Sequence, residues 1–255
     1  MRYLKGFYMS LGMFSGIPLP FHVWNEKYVP LMVASIPLVG VVIGSIWWMA
    51  GLLAISLGLP HSITAAILTL APFFIAGFIH LDGYMDTSDA LLSCRSFKER
   101  QRILKDPLVG SFAVVMLGIL FLVQFAAMYA IAEHGQYLGL LISIPVISRS
   151  CSAFSIFVLR HSPQSNYTTM MSQNISVANK LFVLLIAIVA TRFSYLYAGF
   201  LGTAVAVAVI LGFAIAMRRV YKSFDGISGD LLGYSMVIGE LCGLLTFAVI
   251  HNAGW

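Results

Sequence analysis

Long runs without charge decide what this chain can become. Residues 30–59, 62–79, 112–132, 137–159, 177–191, 196–217 and 231–250 hold only Arg149, Lys180 and Glu240 as charged side chains. A bilayer is crossed by about 20 apolar residues in a helix, because lipid offers backbone N–H and C=O groups no other partner. The strands of a membrane barrel run to only about 10 residues and alternate, so these runs are helical. The composition agrees. The chain is 60% hydrophobic and 10% charged, where soluble domains carry about 25% charged residues. The expectation is an all-α, polytopic membrane protein of about seven transmembrane helices, a single integral-membrane domain over residues 1–255. Residues 6–20 are apolar but too short to cross, and read as an interfacial or re-entrant segment.

The net charge of +5 matters through its placement. With the N-terminus in the cytoplasm and each run crossing once, every Lys and Arg falls inside except Arg192, outside, and Arg149, within a span. That asymmetry obeys the positive-inside rule and gives no reason to expect nucleic-acid binding. Membrane lipid is the expected surrounding, and a homo-oligomer is compatible with the sequence. Cys94, Cys151 and Cys242 are widely spaced and form no C-x-x-C pair, so no disulfide framework or thiolate metal site is expected. The basic start Met1–Lys5 has no cleavage site after it and does not read as a signal peptide.

Against this background one polar stretch stands out, His80-Leu-Asp-Gly-Tyr-Met-Asp-Thr-Ser-Asp89. The chain has ten acids, and Asp82, Asp86 and Asp89 lie within eight residues of one another. On a helix they share one face, within an arc of roughly 60°, with His80 on the opposite side unless the helix begins after it. Neighbouring carboxylates repel unless a cation lies between them. A hard cation held by carboxylates, with positions left for phosphate oxygens, is the usual setting of Mg²⁺.

Basic residues follow directly: Arg95, Lys98, Arg100, Arg102 and Lys105. Acids for a metal beside bases for phosphate oxygens suit a pyrophosphate-bearing substrate, although the same bases also serve the orientation rule and contact anionic lipid. In Lys105-Asp-Pro-Leu-Val-Gly110, Pro107 stops a preceding helix near Asp106. Asp106 is a candidate metal ligand, general base or cap. A second acidic stretch, Asp225-Gly-Ile-Ser-Gly-Asp230, precedes the last span. Asp230 is a candidate ligand, and Ser228 offers its hydroxyl to a helix cap or a phosphate. Glu240, about 15 Å further along the helix, and Arg149 lie at membrane depth. Such groups are functional or paired, and here each is the other's candidate partner.

These residues resemble the cobalamin synthase family, the adenosylcobinamide-GDP ribazoletransferases. The 80–89 stretch matches its pattern H-x-D-G-x-x-D-x-x-D. Ile103-Leu-Lys-Asp106 and Gly110-Ser-Phe112 follow in order, as do Gly226-Ile-Ser-Gly-Asp230-Leu-Leu-Gly233 and Glu240. Phe14–Pro20 and Pro37–Gly40 resemble the family's N-terminal half. Departures are Ala90, Pro107, Asp225, Ser228, Tyr234 and Val237, the last standing where the family has a glutamate.

The resemblance implies a magnesium-dependent transferase of cobalamin biosynthesis in the bacterial inner membrane, with its site facing the cytoplasm. Its substrates would be adenosylcobinamide-GDP and α-ribazole or its 5′-phosphate, and GMP would be released. On that reading Asp82, Asp86, Asp89 and Asp230 hold Mg²⁺. Arg95, Lys98, Arg102, Lys105, Ser228, Arg149 and Glu240 contact substrate, and His80 or Asp106 takes the hydroxyl proton. Intramembrane prenyltransferases and CDP-alcohol phosphotransferases also set aspartates at helix ends, but His80-x-Asp82-Gly and Lys-Asp-Pro-x-x-Gly speak against both. A transporter would want midplane acids and repeated halves, and the sequence shows no repeat.

Overall fold

The computed structural model describes residues 2–162 and 166–253. Its elements are helical: α1 (Arg2–Phe14), α2 (Val29–Ala34), α3 (Ile36–Ser56), α4 (His61–Ala76), α5 (Ile79–Leu92), α6 (Phe97–Ile103), α7 (Ser111–His134), α8 (Leu140–Val158), α9 (Asn166–Met171), α10 (Val177–Phe224) and α11 (Gly229–Asn252). Among the described residues, α3, α7, α8, α10 and α11 are each long and apolar enough to cross a membrane. A sixth span results if α4 and α5, bent by 96° at their junction, count as one broken crossing. The all-α membrane architecture expected from the apolar runs is present.

Local chemistry explains the breaks. Pro30 and Pro37 stand in the first turns of α2 and α3, where a missing N–H is harmless. α4 ends at Gly77, whose φ of 70° a glycine adopts without strain. Gly16 packs on Gly77 and donates its N–H to the Ile75 carbonyl at 2.8 Å, tying the N-terminal segment to this corner. α5 then runs for 14 residues, about 21 Å, and packs against α11 and α7.

The run expected to hold two spans, 177–191 and 196–217, is one helical stretch of 48 residues broken inside. The connection expected at Thr191–Ser194 is helical. The chain turns instead at Ala198 and Gly199, whose backbone angles are non-helical, and folds back until Gly202 meets the Ser194 backbone. Likewise, the polar stretch between the runs 62–79 and 112–132 contains two helices, α5 and α6, and α6 ends at Ile103, before the stop expected at Asp106. The short 6–20 segment is helical from Arg2 to Phe14.

The helices cross closely where glycines remove side chains. Gly40 and Gly44 of α3 face the α8 backbone at Pro145 and Ile142, where a Cβ would come within 2.6 and 2.7 Å. This is the small-residue packing that membrane helices use in place of a hydrophobic drive. Gly83 of α5 meets Asp230 of α11 in the same way, at 2.8 Å. One end of the bundle therefore gathers α5, the start of α11 and the exits of α8 and α10. There, Ser162 and Ile227 exchange backbone bonds with Ile227 and Arg160 at 3.0 Å, and Arg160 pairs with Asp225. The other end gathers His134, Tyr137, Tyr197 and His251 in ring contacts.

Candidate active site

The gathered end is where the polar residues meet. Asp82, Asp86 and Asp89 do follow one another along one helix, α5, with Asp82 exposed and the other two half-buried. Asp230, in the first turn of α11, is brought against them by the Gly83 crossing. Tyr234, one of the departures from the family pattern, stacks on Tyr84 with ring centres 5.6 Å apart and helps hold the two helices together.

Asp86 occupies the centre of the charge. Partial burial, and then the negative charges of Asp82, Asp230 and Asp89, push its carboxyl up to about 6. This is the mutual repulsion that a cation would relieve. Among the described residues no group of three or more His, Cys, Asp or Glu side chains is placed to hold a metal ion. An all-oxygen set of this kind nevertheless fits Mg²⁺, which keeps several waters and takes only one or two carboxylates beside substrate phosphates. The Asp89 carboxylate lies against Gly110 at the entry to α7. A side chain there would displace it, which gives the glycine of the Lys-Asp-Pro-x-x-Gly sequence a physical role.

His80, in the first turn of α5, lines a cavity of about 310 Å³ with Asp82, Asp230, Ser152, Thr168 and Met171. Its place opposite the aspartates on the helical wheel does not separate it from them, because Asp82 and Asp230 share that cavity. Beneath lies a smaller pocket lined by His80, Arg149, Val237 and Glu240. Arg149 is 2% exposed, and its Nη1 donates to Glu240 Oε1 at 2.8 Å and to the Pro145 carbonyl at 3.4 Å. Ser148 Oγ donates to the same Glu240 oxygen at 2.5 Å, and Arg149 Nη2 stands 3.5 Å from His80 Nδ1. Arg149 and Glu240 are thus each other's partners and also neighbours of the site.

The remaining candidates lie elsewhere. Lys98, Arg102, Lys105 and Asp106 line a surface recess of about 700 Å³ over α6. Arg102 pairs with Glu99 at 3.0 Å, and Asp106 accepts the Leu108 N–H at 3.0 Å, closing its own turn. Arg95 is exposed outside that recess. Ser228 serves as the N-cap of α11, accepting from Leu231 N–H at 3.4 Å. Sequence reasoning missed Ser148, whose only signal was its place beside Arg149. It also missed Thr168 and Met171 of α9, which had no signal.

No solved structure matches the chain. An adenosylcobinamide-GDP ribazoletransferase of Clostridium botulinum (strain Alaska E43 / Type E3) is 33% identical over 243 residues, covering 95% of this chain and 96% of the relative. Enzymes of the same name from Clostridium perfringens (strain ATCC 13124) and Geobacillus thermodenitrificans are each 32% identical, covering 97% and 92% of this chain and 99% and 92% of their own lengths. A family model described as cobalamin-5-phosphate synthase matches residues 6–248. That span takes in both acidic stretches and the buried Arg149–Glu240 pair, and the chain belongs to the cobalamin-5-phosphate synthase family.

Proposed function

We propose that this protein joins α-ribazole, or its 5′-phosphate, to adenosylcobinamide-GDP and releases GMP, closing the nucleotide loop of cobalamin. The observation that carries this reading is the meeting of α5 with Asp230 of α11 beside His80, in a chain of this family. A ribose hydroxyl oxygen of ribazole, other than the 5′ one because the 5′-phosphate is also a substrate, bonds to the cobinamide-linked phosphorus. The bond from that phosphorus to the bridging oxygen breaks, and GMP leaves with the electron pair. Asp82, Asp86, Asp89 and Asp230 would supply the one or two carboxylates that each Mg²⁺ ion takes, and the metal would neutralise the pyrophosphate and the leaving guanylate. The protein's own part is positioning and charge placement, which dominate phosphoryl transfer. Lys98, Arg102 and Lys105 offer the α6 recess to guanylate oxygens, and the apolar wall of Ile156, Met171 and Met236 limits water around the reacting phosphorus.

Purified protein given adenosylcobinamide-GDP, α-ribazole and Mg²⁺ releases GMP on this reading. Omitting ribazole or chelating the metal stops it. Release of GMP without ribazole would refute the transfer.

The same reading gives seven crossings, by α3, α4, α7, α8, the two halves of α10 and α11, with the N-terminus and the site in the cytoplasm. Single-span length supports the split of α10, since 48 helical residues extend about 72 Å against a hydrocarbon core of about 30 Å. Cys94 reports the sidedness. It is exposed just beyond α5, while Cys151 and Cys242 sit partly buried in spans. A membrane-impermeant maleimide should label Cys94 in inverted inner-membrane vesicles and not in intact spheroplasts. The reverse pattern would invert the orientation.

A further inference from the structure

The buried pair beneath the carboxylates fixes more than its own charges. A guanidinium has five N–H donors and no acceptor. Arg149 Nη2 lies within hydrogen-bond reach of His80 Nδ1, so Nδ1 must present its lone pair, and a proton there would aim N–H at N–H. Neutral imidazole carries one proton, which is then on Nε2. The guanidinium itself is not free to turn. Its Nη1 is held by Glu240 and Pro145, and Glu240 is held in turn by Ser148.

We propose that Arg149, anchored by Glu240 and Ser148, is a positioning residue that locks His80 as its Nε2–H tautomer. His80 then donates a hydrogen bond to a phosphoryl oxygen and does not accept the ribazole proton. This rests on the transferase reading above. The bonds made and broken are those already given. The hydroxyl proton passes to water at the cavity mouth, where Asp82 is exposed.

The test compares His80→Gln with His80→Ala in ribazole-dependent GMP release. A glutamine amide sets an N–H donor near the place of Nε2 but cannot take up a proton at neutral pH. Losing one donor to developing charge lowers kcat on the order of 10²–10³-fold, the expected result for His80→Ala. His80→Gln should stay within about tenfold of wild type. Arg149→Lys should lower kcat with KM little changed in the wild-type background, and have no further effect on His80→Ala. Equal losses for Gln and Ala at position 80, or an Arg149→Lys effect that persists without His80, would overturn the assignment. Wild-type protein that releases no ribazole-dependent GMP would instead refute the transferase reading itself.

Discussion

Asp86→Ala should lose ribazole-dependent GMP release by on the order of 10³-fold or more while the protein stays folded in detergent. The magnitude follows from what one carboxylate at the centre of the set does. It adds charge to a metal position, and weakening electrostatic stabilisation of transferring phosphoryl oxygens removes several kcal/mol from the barrier difference. Each 1.36 kcal/mol is tenfold in rate. The stability effect has the opposite sign. Burial and three neighbouring carboxylates raise the Asp86 carboxyl to about 6, above its unfolded value near 4. An acid raised on folding favours the fold fully when protonated, and that contribution is lost as pH rises from about 4 through 6. At neutral pH without metal, Asp86→Ala should therefore unfold at the same temperature as wild type or higher. Adding Mg²⁺ should raise the wild-type midpoint, because a ligand that binds only the folded state stabilises it, and should raise the variant's much less. Normal turnover, or an equal Mg²⁺ response in both proteins, would remove Asp86 from the metal site.

Much of this arrangement was legible in the sequence because membrane proteins announce their spans. Uncharged runs gave the helices, and the rarity of acids made Asp82, Asp86 and Asp89 conspicuous. What the sequence hid was where helices bend. Thr191–Ser194 looks like a connection because Arg192 and Ser194 interrupt the apolar run, yet a helix tolerates both, and the turn falls where Gly199 reaches φ 56°. The polar stretch after Phe78 reads as loop by hydropathy, whereas α5 is helical because it buries Leu81, Tyr84 and Ala90 against neighbouring helices. Meetings between distant segments had only weak local signals. Gly83 is one small residue among many until Asp230 is found against it, and His80 gains its neighbours from α8 and α11. Arg149 and Glu240 could be suspected as partners from depth alone, and the 2.8 Å contact bears that out.

Glu240→Ala should destabilise the protein by about 3–5 kcal/mol, the penalty for leaving one member of a buried ion pair uncompensated. Arg149 would keep only the Pro145 carbonyl and His80 as acceptors, in a setting where its side chain is 3% exposed. Replacing both partners by apolar residues of similar size is a different experiment. Arg149→Met with Glu240→Met removes two desolvated charges together, and such exchanges are often neutral or stabilising by about 1–4 kcal/mol. The double variant should therefore recover most of the stability lost by Glu240→Ala, read as the unfolding midpoint in detergent. It should not recover turnover, because His80 Nδ1 would have lost the donor that sets its tautomer and angle. If the pair were a structural brace alone, restored stability would bring restored GMP release. A double variant as active as wild type would show that the site does not depend on the buried charges, and a Glu240→Ala protein as stable as wild type would show that the pair does not hold α8 to α11.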